Sequence, residues 1–413
     1  MRIGQRVGGE GVDFSAMEEQ YLKTVREQSC GKNKVYIYGA GNCGKSLAIF
    51  LREHHVKVDG FCVTDSARNM STLEGLSISG IHELGTQYAE CLFLIGTKPG
   101  TGATDAIIDV LGKLGIEDFI VLPVGFFEKI LSDDAFYRPL LQITPKLGCS
   151  INCHFCPQSV FIKAFTSKTR KTMMSLQEFK ECLDKTPQNT IIEFAGFVEP
   201  FLNPEAAEMM LYVAETGREV SLFTTLVGMD ERIWQKIKDI SFRKVVLHLP
   251  DEKHYADIPM TEEYFSLLKQ MVNHKKPDGS NFIDLVNSQA EIHTDVMKII
   301  AGKVLIWSGD LIDRAGNLQA EGARSATVSE GPIYCKTAAN VNHNILLPDG
   351  SLVLCCMDMG MQHVIGNLLQ DSYEDIMQGE IIMSIRKQMS TKELKGLLCR
   401  TCTNAVPVER GDS

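Results

Sequence analysis

The chain has 413 residues, 44% of them hydrophobic and 23% charged, with a formal net charge of −10. That length supplies two or three domains with cores of their own, and the composition is that of a globular protein. The negative balance argues against nucleic acid or an anionic membrane surface as the main partner, and no apolar run approaches the length of a membrane span.

The first residues, MRIGQRVGGEGVDFSAMEEQ, lack an apolar signal core and read as a polar lead-in to a helix near residues 14–28. The expected compartment is therefore the reducing cytoplasm, where thirteen cysteines point to metal or redox chemistry rather than to disulfides. Cys30, Cys43, Cys62, Cys91 and Cys182 are scattered and read as small buried hydrophobes. The other eight fall in two groups: Cys149, Cys153 and Cys156, then Cys335, Cys355, Cys356, Cys399 and Cys402.

After the lead-in (residues 1–29), residues 30–125 alternate strand and helix patterns. KVYIYGAG, VKVDGFCVTD, ECLFLIGTK and DFIVLP read as strands, with helices at NCGKSLAIFLREHH and TDAIIDVLGKLG. Such alternation predicts a parallel sheet covered by helices. GAGNCGKS, residues 39–46, satisfies both GxGxxG and GxxxxGK[ST]. Its place between a strand and a helix, with Asp65 ending the next strand, is the Rossmann arrangement. Gly39, Gly41 and Gly44 would shape the loop, with a pyrophosphate on the helix N-terminus and Asp65 near a ribose. A bound nucleotide or nucleotide-sugar and a purely scaffolding role are both open.

Residues 126–139 read as a linker. From 140 to 318 six strand candidates follow: LLQITPKLG, TIIEFAGF, VSLFTTL, KVVLHLP, NFIDLV and KVLIWSG, with helical stretches between several of them. This predicts a partial (β/α)6 barrel with its site at the C-terminal strand ends. His248 and Asp251 lie at the expected rim and read as ordinary loop caps or salt bridges. Beyond 318 the alternation lapses. ILLPDGSLVLCC reads as a hairpin turning at Pro348-Asp349-Gly350, and a helix at SYEDIMQGEIIMSIRKQM precedes LLCRTC. Residues 319–413 cannot bury much apolar surface alone.

CSINCHFC, residues 149–156, carries the chemistry. Three thiolates are one short of the four ligands that a structural zinc takes, and they can hold three corners of an iron–sulfur cube. CxxxCxxC after an apolar strand, with Phe155 before the last cysteine, resembles the radical S-adenosylmethionine (SAM) enzymes. The resemblance implies that Cys149, Cys153 and Cys156 ligate a [4Fe–4S] cluster whose open iron binds SAM, and that Phe155 lies near the adenine. It implies reductive cleavage of SAM to a 5′-deoxyadenosyl radical that abstracts hydrogen from substrate, with an electron donor such as flavodoxin or ferredoxin. AGFVEP, residues 195–200, resembles that family's glycine-rich segment, although Val198 stands where a glycine is usual. Gly196 and Glu199 are its implied SAM contacts.

Four further cysteines can close a site completely, as structural zinc or as a fully ligated [4Fe–4S] cluster. Beside such a core, Cys335, Cys355, Cys399 and Cys402 resemble the ligands of SPASM and twitch extensions, with Gly350 spaced before Cys355 as in that signature. Cys356 is then spare, because neighbours on a strand point opposite ways. The set implies one auxiliary cluster, closer to the twitch type. Met359 and Met361 read as packing around it. Arg314, after the sixth strand and flanked by Asp310 and Asp313, is the expected substrate contact.

The expected architecture is α/β: an N-terminal Rossmann-like sheet, a central partial radical SAM barrel and a C-terminal SPASM/twitch-like iron–sulfur domain. The N-terminal module is similar to nucleotide-binding-like modules on sugar-modifying and polysaccharide-biosynthesis enzymes. The expected reaction is therefore a net oxidation of a small polyol, amino sugar or nucleotide-linked sugar. The alternatives are cross-linking or thioether formation in a ribosomally made peptide and, from another class, a sensor or docking role for the N-terminal module.

Overall fold

A computed structural model of the protein describes residues 14–65, 72–97, 102–122, 138–307, 311–326, 328, 330–338, 340–391 and 396–407. Most of the expected linker, and Asp310, lie outside the described residues. The chain divides into two compact units, Met1–Asp133 and Asp134–Ser413. Among the described residues no helix is long and apolar enough to cross a membrane.

The first unit opens with a helix, Phe14–Ser29, then builds one sheet from β1 (Lys34–Tyr38), β2 (Gly60–Val63), β3 (Thr72–Leu73), β4 (Leu76–Gly80), β5 (Cys91–Ile95) and β6 (Phe119–Val121). The order is β3-β4-β2-β1-β5-β6, parallel except for β3. KVYIY and CLFLI are nearly continuous apolar runs because β1 and β5 are central and covered on both faces. The β3–β4 hairpin was not expected from sequence; its strands are too short and polar to signal themselves. Cys62 and Cys91 are buried in this unit as expected, whereas Cys30 is exposed and Cys43 half-buried.

In the second unit, β7 (Leu140–Ile143), β8 (Ile191–Phe194), β9 (Val220–Thr224), β10 (Lys244–His248), β11 (Leu285–Asn287) and β12 (Leu305–Trp307) are parallel and paired in sequence order. All six expected strands are present. A short β13 (Ile333–Cys335) pairs separately with the last strand. Then β14 (His343–Leu346), β15 (Ser351–Val353) and β16 (Val364–Asn367) extend the main sheet beyond β7, with β14 parallel to β7. The sheet is thus nine-stranded and runs across the position near residue 318 where the alternation stops. The hairpin turn at 348–350 forms as read, with Gly350 at φ +83°. The last helix breaks into Tyr373–Gln378 and Glu380–Met389 at Gly379, and β17 (Ala405–Pro407) closes the described chain.

One face of the six parallel strands supplies Leu141, Ile192, Phe194, Leu222, Val245 and Leu247 to the core. Helices such as Leu176–Asp184 and Glu262–Asn273 cover it with Phe179, Leu267 and Met271. Those helices start at Ser175 and Thr261, whose side chains cap them. Burying one Phe-sized side chain here stabilises by about 1.5–3 kcal/mol. The other face carries Gln142, Glu193, Ala195, Ser221, Phe223 and Val246, and there the chemistry gathers.

Candidate functional site

Beyond the C-terminal end of β7 the chain turns through Gly148 (φ +79°) and Asn152 (φ +48°) and lays down the cysteine triplet. The loop is held by the segment after β10. Asp257 N donates to Ile151 O (2.6 Å), His154 N to Tyr255 O (2.7 Å) and Asn152 Nδ2 to Asp257 Oδ2 (2.9 Å). The His154 ring stacks on Tyr255, centroids 5.0 Å apart, a role in holding the loop rather than in ligation. Cys149, Cys153 and Cys156 together line a cavity of about 250 Å3 with Phe155, Gly196 and Glu199. The strand ends complete its wall: Phe223 and Thr224 from β9 with Thr225 just beyond it, Val246 and His248 from β10, and Asn287 from β11. Sequence reading had named Phe155, Gly196, Glu199 and His248 but missed the two threonines and Asn287, which carry no local signal.

Burial raises the thiols of Cys149 and Cys153 above their ordinary range. For Cys149 the backbone N–H groups of Ile151 and Glu199 oppose the rise, and for Cys153 the neighbouring Cys156 and Cys149 add to it. A metal bound here would take thiolates and so release protons. Gln158 Nε2 reaches Cys156 Sγ (3.4 Å) and the carbonyl of Phe197, while its buried Oε1 has no partner. His248 Nδ1 meets Asn287 Oδ1 at 3.1 Å, its Nε2 is buried without a partner, and burial lowers its pKa. The Phe155 ring lies 4.9 Å from that imidazole. Three thiols, two orphaned polar atoms and an apolar wall fit a cluster with a polar, aromatic-bearing cofactor.

Gly196 is required by close packing: a side chain there would collide with Thr144 Oγ1 and the Ile143 carbonyl. Thr144 Oγ1 in turn accepts from Phe197 N (2.9 Å). Val198, at the unusual position, is buried. Glu199 is also buried, and each of its carboxylate oxygens takes two bonds. Oε1 accepts from Thr224 Oγ1 (2.7 Å) and Phe201 N (3.4 Å); Oε2 accepts from Thr225 N (2.6 Å) and Thr225 Oγ1 (2.7 Å). Burial nonetheless raises its pKa. Glu199 therefore ties β8 to β9, and gripping a ligand ammonium would require a threonine hydroxyl to turn away.

A second cavity of about 200 Å3 is lined by Cys335, Cys355, Cys356, Cys399 and Cys402. Burial raises Cys399 to about 12 and Cys402 to about 11, and raises Cys355 and Cys356 as well. The rule that separated Cys355 from Cys356 does not operate, because β15 ends at Val353 and both lie in the turn that follows. That turn is locked by fully buried Asp358, which accepts from Gln362 N (2.8 Å) and His363 N (2.7 Å). His363 Nε2 then accepts from Leu398 N (3.2 Å), drawing the CRTC segment in. Arg400 is buried, donating to the carbonyls of Gly331, Gln388 and Thr391. Among the described residues no group of three His, Cys, Asp or Glu side chains is arranged to hold a single metal ion.

Arg314 lines the first cavity and is bonded to a residue of the second: its Nη1 donates to the Cys356 carbonyl (3.5 Å). Arg314, Ala315 and Gly316 all have positive φ (48°, 54° and 85°). The turn is strapped down by Asn317 Nδ2, which donates to Arg314 O (3.0 Å) and Met357 O (2.9 Å). Asp313 is buried nearby, and Asp251 caps its loop by accepting from Lys253 N (2.9 Å) and Tyr255 N (3.3 Å). Met359 lines the first cavity rather than the second, packed with Phe161, Phe197 and Met361.

In the first unit, β1 has β2 on one side and β5 on the other, so the chain leaves it at the point where the strand order reverses. Gly39 and Gly41 form the turn there, Gly41 as N-cap of the helix Asn42–Glu53, and Gly44 lies in that helix's first turn. A side chain at Gly44 would collide with the Gly39 carbonyl. Lys45 pairs with Glu74 of the β3–β4 turn (3.3 Å). Asp65 is exposed just beyond β2.

The last cysteine group decides the C-terminal assignment. Residues 335–403 match SPASM, an iron–sulfur cluster-binding domain. All five cysteines of the second cavity fall inside the match, so the SPASM region is an iron–sulfur region and not merely a cysteine-rich one. No curated protein matches the chain. Similar solved structures include BtrN in complex with AdoMet and 2-DOIA (14% identity, 62% of this chain and 88% of that one, TM-score 0.41). Streptococcus suis SuiB bound to precursor peptide SuiA is another (11%, 72% and 84%, 0.38). Native anSMEcpe with bound AdoMet and Cp18Cys peptide is a third (14%, 64% and 86%, 0.37). The chain is a mixed α/β protein of parallel sheets with a SPASM domain at residues 335–403.

Proposed function

We propose that this protein is a radical SAM oxidoreductase with one auxiliary cluster, acting on a small polyol, amino sugar or nucleotide-linked sugar. The observation that carries the reading is the pair of cavities. Cys149, Cys153 and Cys156 share one with Gly196 and Glu199 at the strand ends, and the SPASM cysteines line the other. Cys149, Cys153 and Cys156 would hold the first [4Fe–4S] cluster; Cys335, Cys355, Cys399 and Cys402 would hold the second. When bound, the first cluster supplies the electron that splits SAM into a hydrogen-abstracting radical.

The chain's own residues do the rest. Phe155, Phe197, Phe223 and Val246 give an apolar wall that excludes water and limits side reactions. Phe155 would lie against the adenine, and Gly196 would leave the backbone open to SAM. Arg314, from the positive-φ turn that precedes the SPASM region, would reach into the same cavity as a substrate contact. In the first unit we assign the glycine loop to a nucleotide or nucleotide-sugar, supported by the strand reversal at β1.

The test is anaerobic reconstitution followed by tracing of deuterium from labelled sugars and polyols into 5′-deoxyadenosine. Label transfer from one of them, with one oxidised product per SAM cleaved or recycled, is the expected result. Transfer only from a peptide would replace the substrate class, and absence of reductive SAM cleavage would remove the reading itself.

A further inference from the structure

Four polar residues lie side by side across adjacent strands on the inner face of the main sheet. Gln142 of β7 is in register with Glu193 of β8, Glu193 with Ser221 of β9, and Ser221 with Lys244 of β10. Side chains two residues apart on a strand share a face. The row is therefore the layer next to Ala195, Phe223 and Val246, which line the first cavity. At its other end Gln142 lines the second cavity with the SPASM cysteines. Glu193, Ser221 and Lys244 line neither cavity themselves and form the layer beneath the first, between it and the second.

The row is only partly satisfied internally, by the Gln142–Glu193 bond and by the attraction of Lys244 and Arg243 for the Glu193 carboxylate. Glu193 and Ser221 are buried. Gln142 Nε2 donates to Glu193 Oε2 (3.1 Å), but the buried Gln142 Oε1 and Ser221 Oγ have no partner. Buried polar atoms left unpaired cost about 1–3 kcal/mol each, and such a cluster in a native protein calls for a ligand or water. Burial also lifts the Glu193 carboxyl above its ordinary range. Lys244 flanks the row with its Nζ 5.7 Å from the centroid of the Phe223 ring.

We infer that this row is the substrate-recognition floor between the two cysteine cavities, and that it takes a small molecule bearing an ammonium and neighbouring hydroxyls. The inference rests on the radical SAM reading and names the substrate class within it. Three adjacent groups, Gln142 Oε1, the Glu193 carboxylate and Ser221 Oγ, offer acceptors, so the matching ligand brings donors. Strands lie about 4.8 Å apart, so the three span roughly 10 Å, the breadth of one substituted six-membered ring. Glu193 anchors the ammonium, because a buried carboxylate gains most from a charged, hydrogen-bonding partner.

The test uses the full-length, anaerobically reconstituted, SAM-loaded protein, titrated calorimetrically with glucosamine and with glucose as its neutral counterpart. The wild type is expected to prefer glucosamine tenfold or more, and Glu193→Gln to bring that ratio near one with iron content unchanged. Ser221→Ala, which removes only an unpartnered hydroxyl, is expected to weaken glucosamine binding at least threefold without lowering the melting temperature. It keeps the inference testable if the Glu193 variant does not fold. Absence of any amine preference in the wild type, or its survival in Glu193→Gln, overturns the inference; so does a Ser221→Ala that binds normally, which would leave the row to ordered water. These failures are separate from that of the radical SAM reading, which appears as loss of reductive SAM cleavage in the wild type.

Discussion

Replacing Glu199 by Gln tests whether that residue acts first as a tie between strands. The carboxylate takes four hydrogen bonds, two on each oxygen. Glutamine keeps one acceptor oxygen, which is best used on Thr225 N and Oγ1; its NH2 then faces Thr224, whose hydroxyl must reverse to accept. The 3.4 Å bond from Phe201 N is lost. Bonds to a charged group are worth about 1.5–3 kcal/mol and neutral ones about 0.5–1.5, so three bonds each lose roughly 1 kcal/mol. Part of that returns because the buried charge, whose cost raises the Glu199 pKa, is no longer present. The net cost is about 1–2 kcal/mol. At about 2 °C per kcal/mol for a unit of this size, the melting temperature should fall by roughly 2–4 °C. Glu199→Ala leaves Thr225 N and both hydroxyl protons without an acceptor in a buried site and should fall at least twice as far. Melting of the cluster-free protein is the assay, with SAM titration of the reconstituted protein beside it. A Gln variant as stable as the wild type, with an Ala variant no worse than Gln, would refute the tie. A SAM affinity unchanged in the Gln variant would refute its contact with the cofactor.

Replacing Cys149, Cys153 and Cys156 together with Ala should lower iron from about eight to about four per chain and abolish 5′-deoxyadenosine formation; continued reductive SAM cleavage would contradict the cluster assignment. Cys355→Ala should cost the second cluster while Cys356→Ala retains it, as counted by iron and by electron paramagnetic resonance; the reverse would move the ligand to Cys356. Arg314→Ala should reduce product formation tenfold or more and uncoupled SAM cleavage much less; equal loss of both would remove it as a substrate contact. Burial, opposed by the Gln142 hydrogen bond, lifts the Glu193 carboxyl above 4.5, so its ionisation costs more in the folded state than in the unfolded one. Its stability contribution is full below that pH and is lost as pH rises through the raised value. The melting temperature of Glu193→Gln relative to wild type should therefore improve from pH 4.5 to pH 8; a constant difference would count against the buried charge.

The fold was legible where physics acts locally. All six strands from 140 to 307 announced themselves because each buries one face under helices and ends in glycine, proline or polar residues. The hairpin at 343–353 was legible for the same reason, since Gly350 alone suits its turn. Its attachment beside β7 was not, because strand pairing across 200 residues leaves no mark in either segment. The cysteines show the same division. Their spacing grouped them correctly into two sets, yet the argument that parted Cys355 from Cys356 assumed a strand that ends two residues earlier.

What could not be read at all was convergence. Thr224, Thr225 and Asn287 look like ordinary strand-end residues, and each becomes part of the cavity only because a parallel sheet delivers consecutive strand ends to one place. The row from Gln142 to Lys244 is the strongest case. Each residue is an isolated polar exception in an apolar strand, and one such exception means little. Four in register on the same face, with two orphaned buried atoms among them, call for a bound ligand or ordered water, and the inference drawn above is the ligand. In the proposed reading the triplet and the SPASM set hold the two clusters, and this row, between them, is the part of the sheet we infer to be shaped to a ligand.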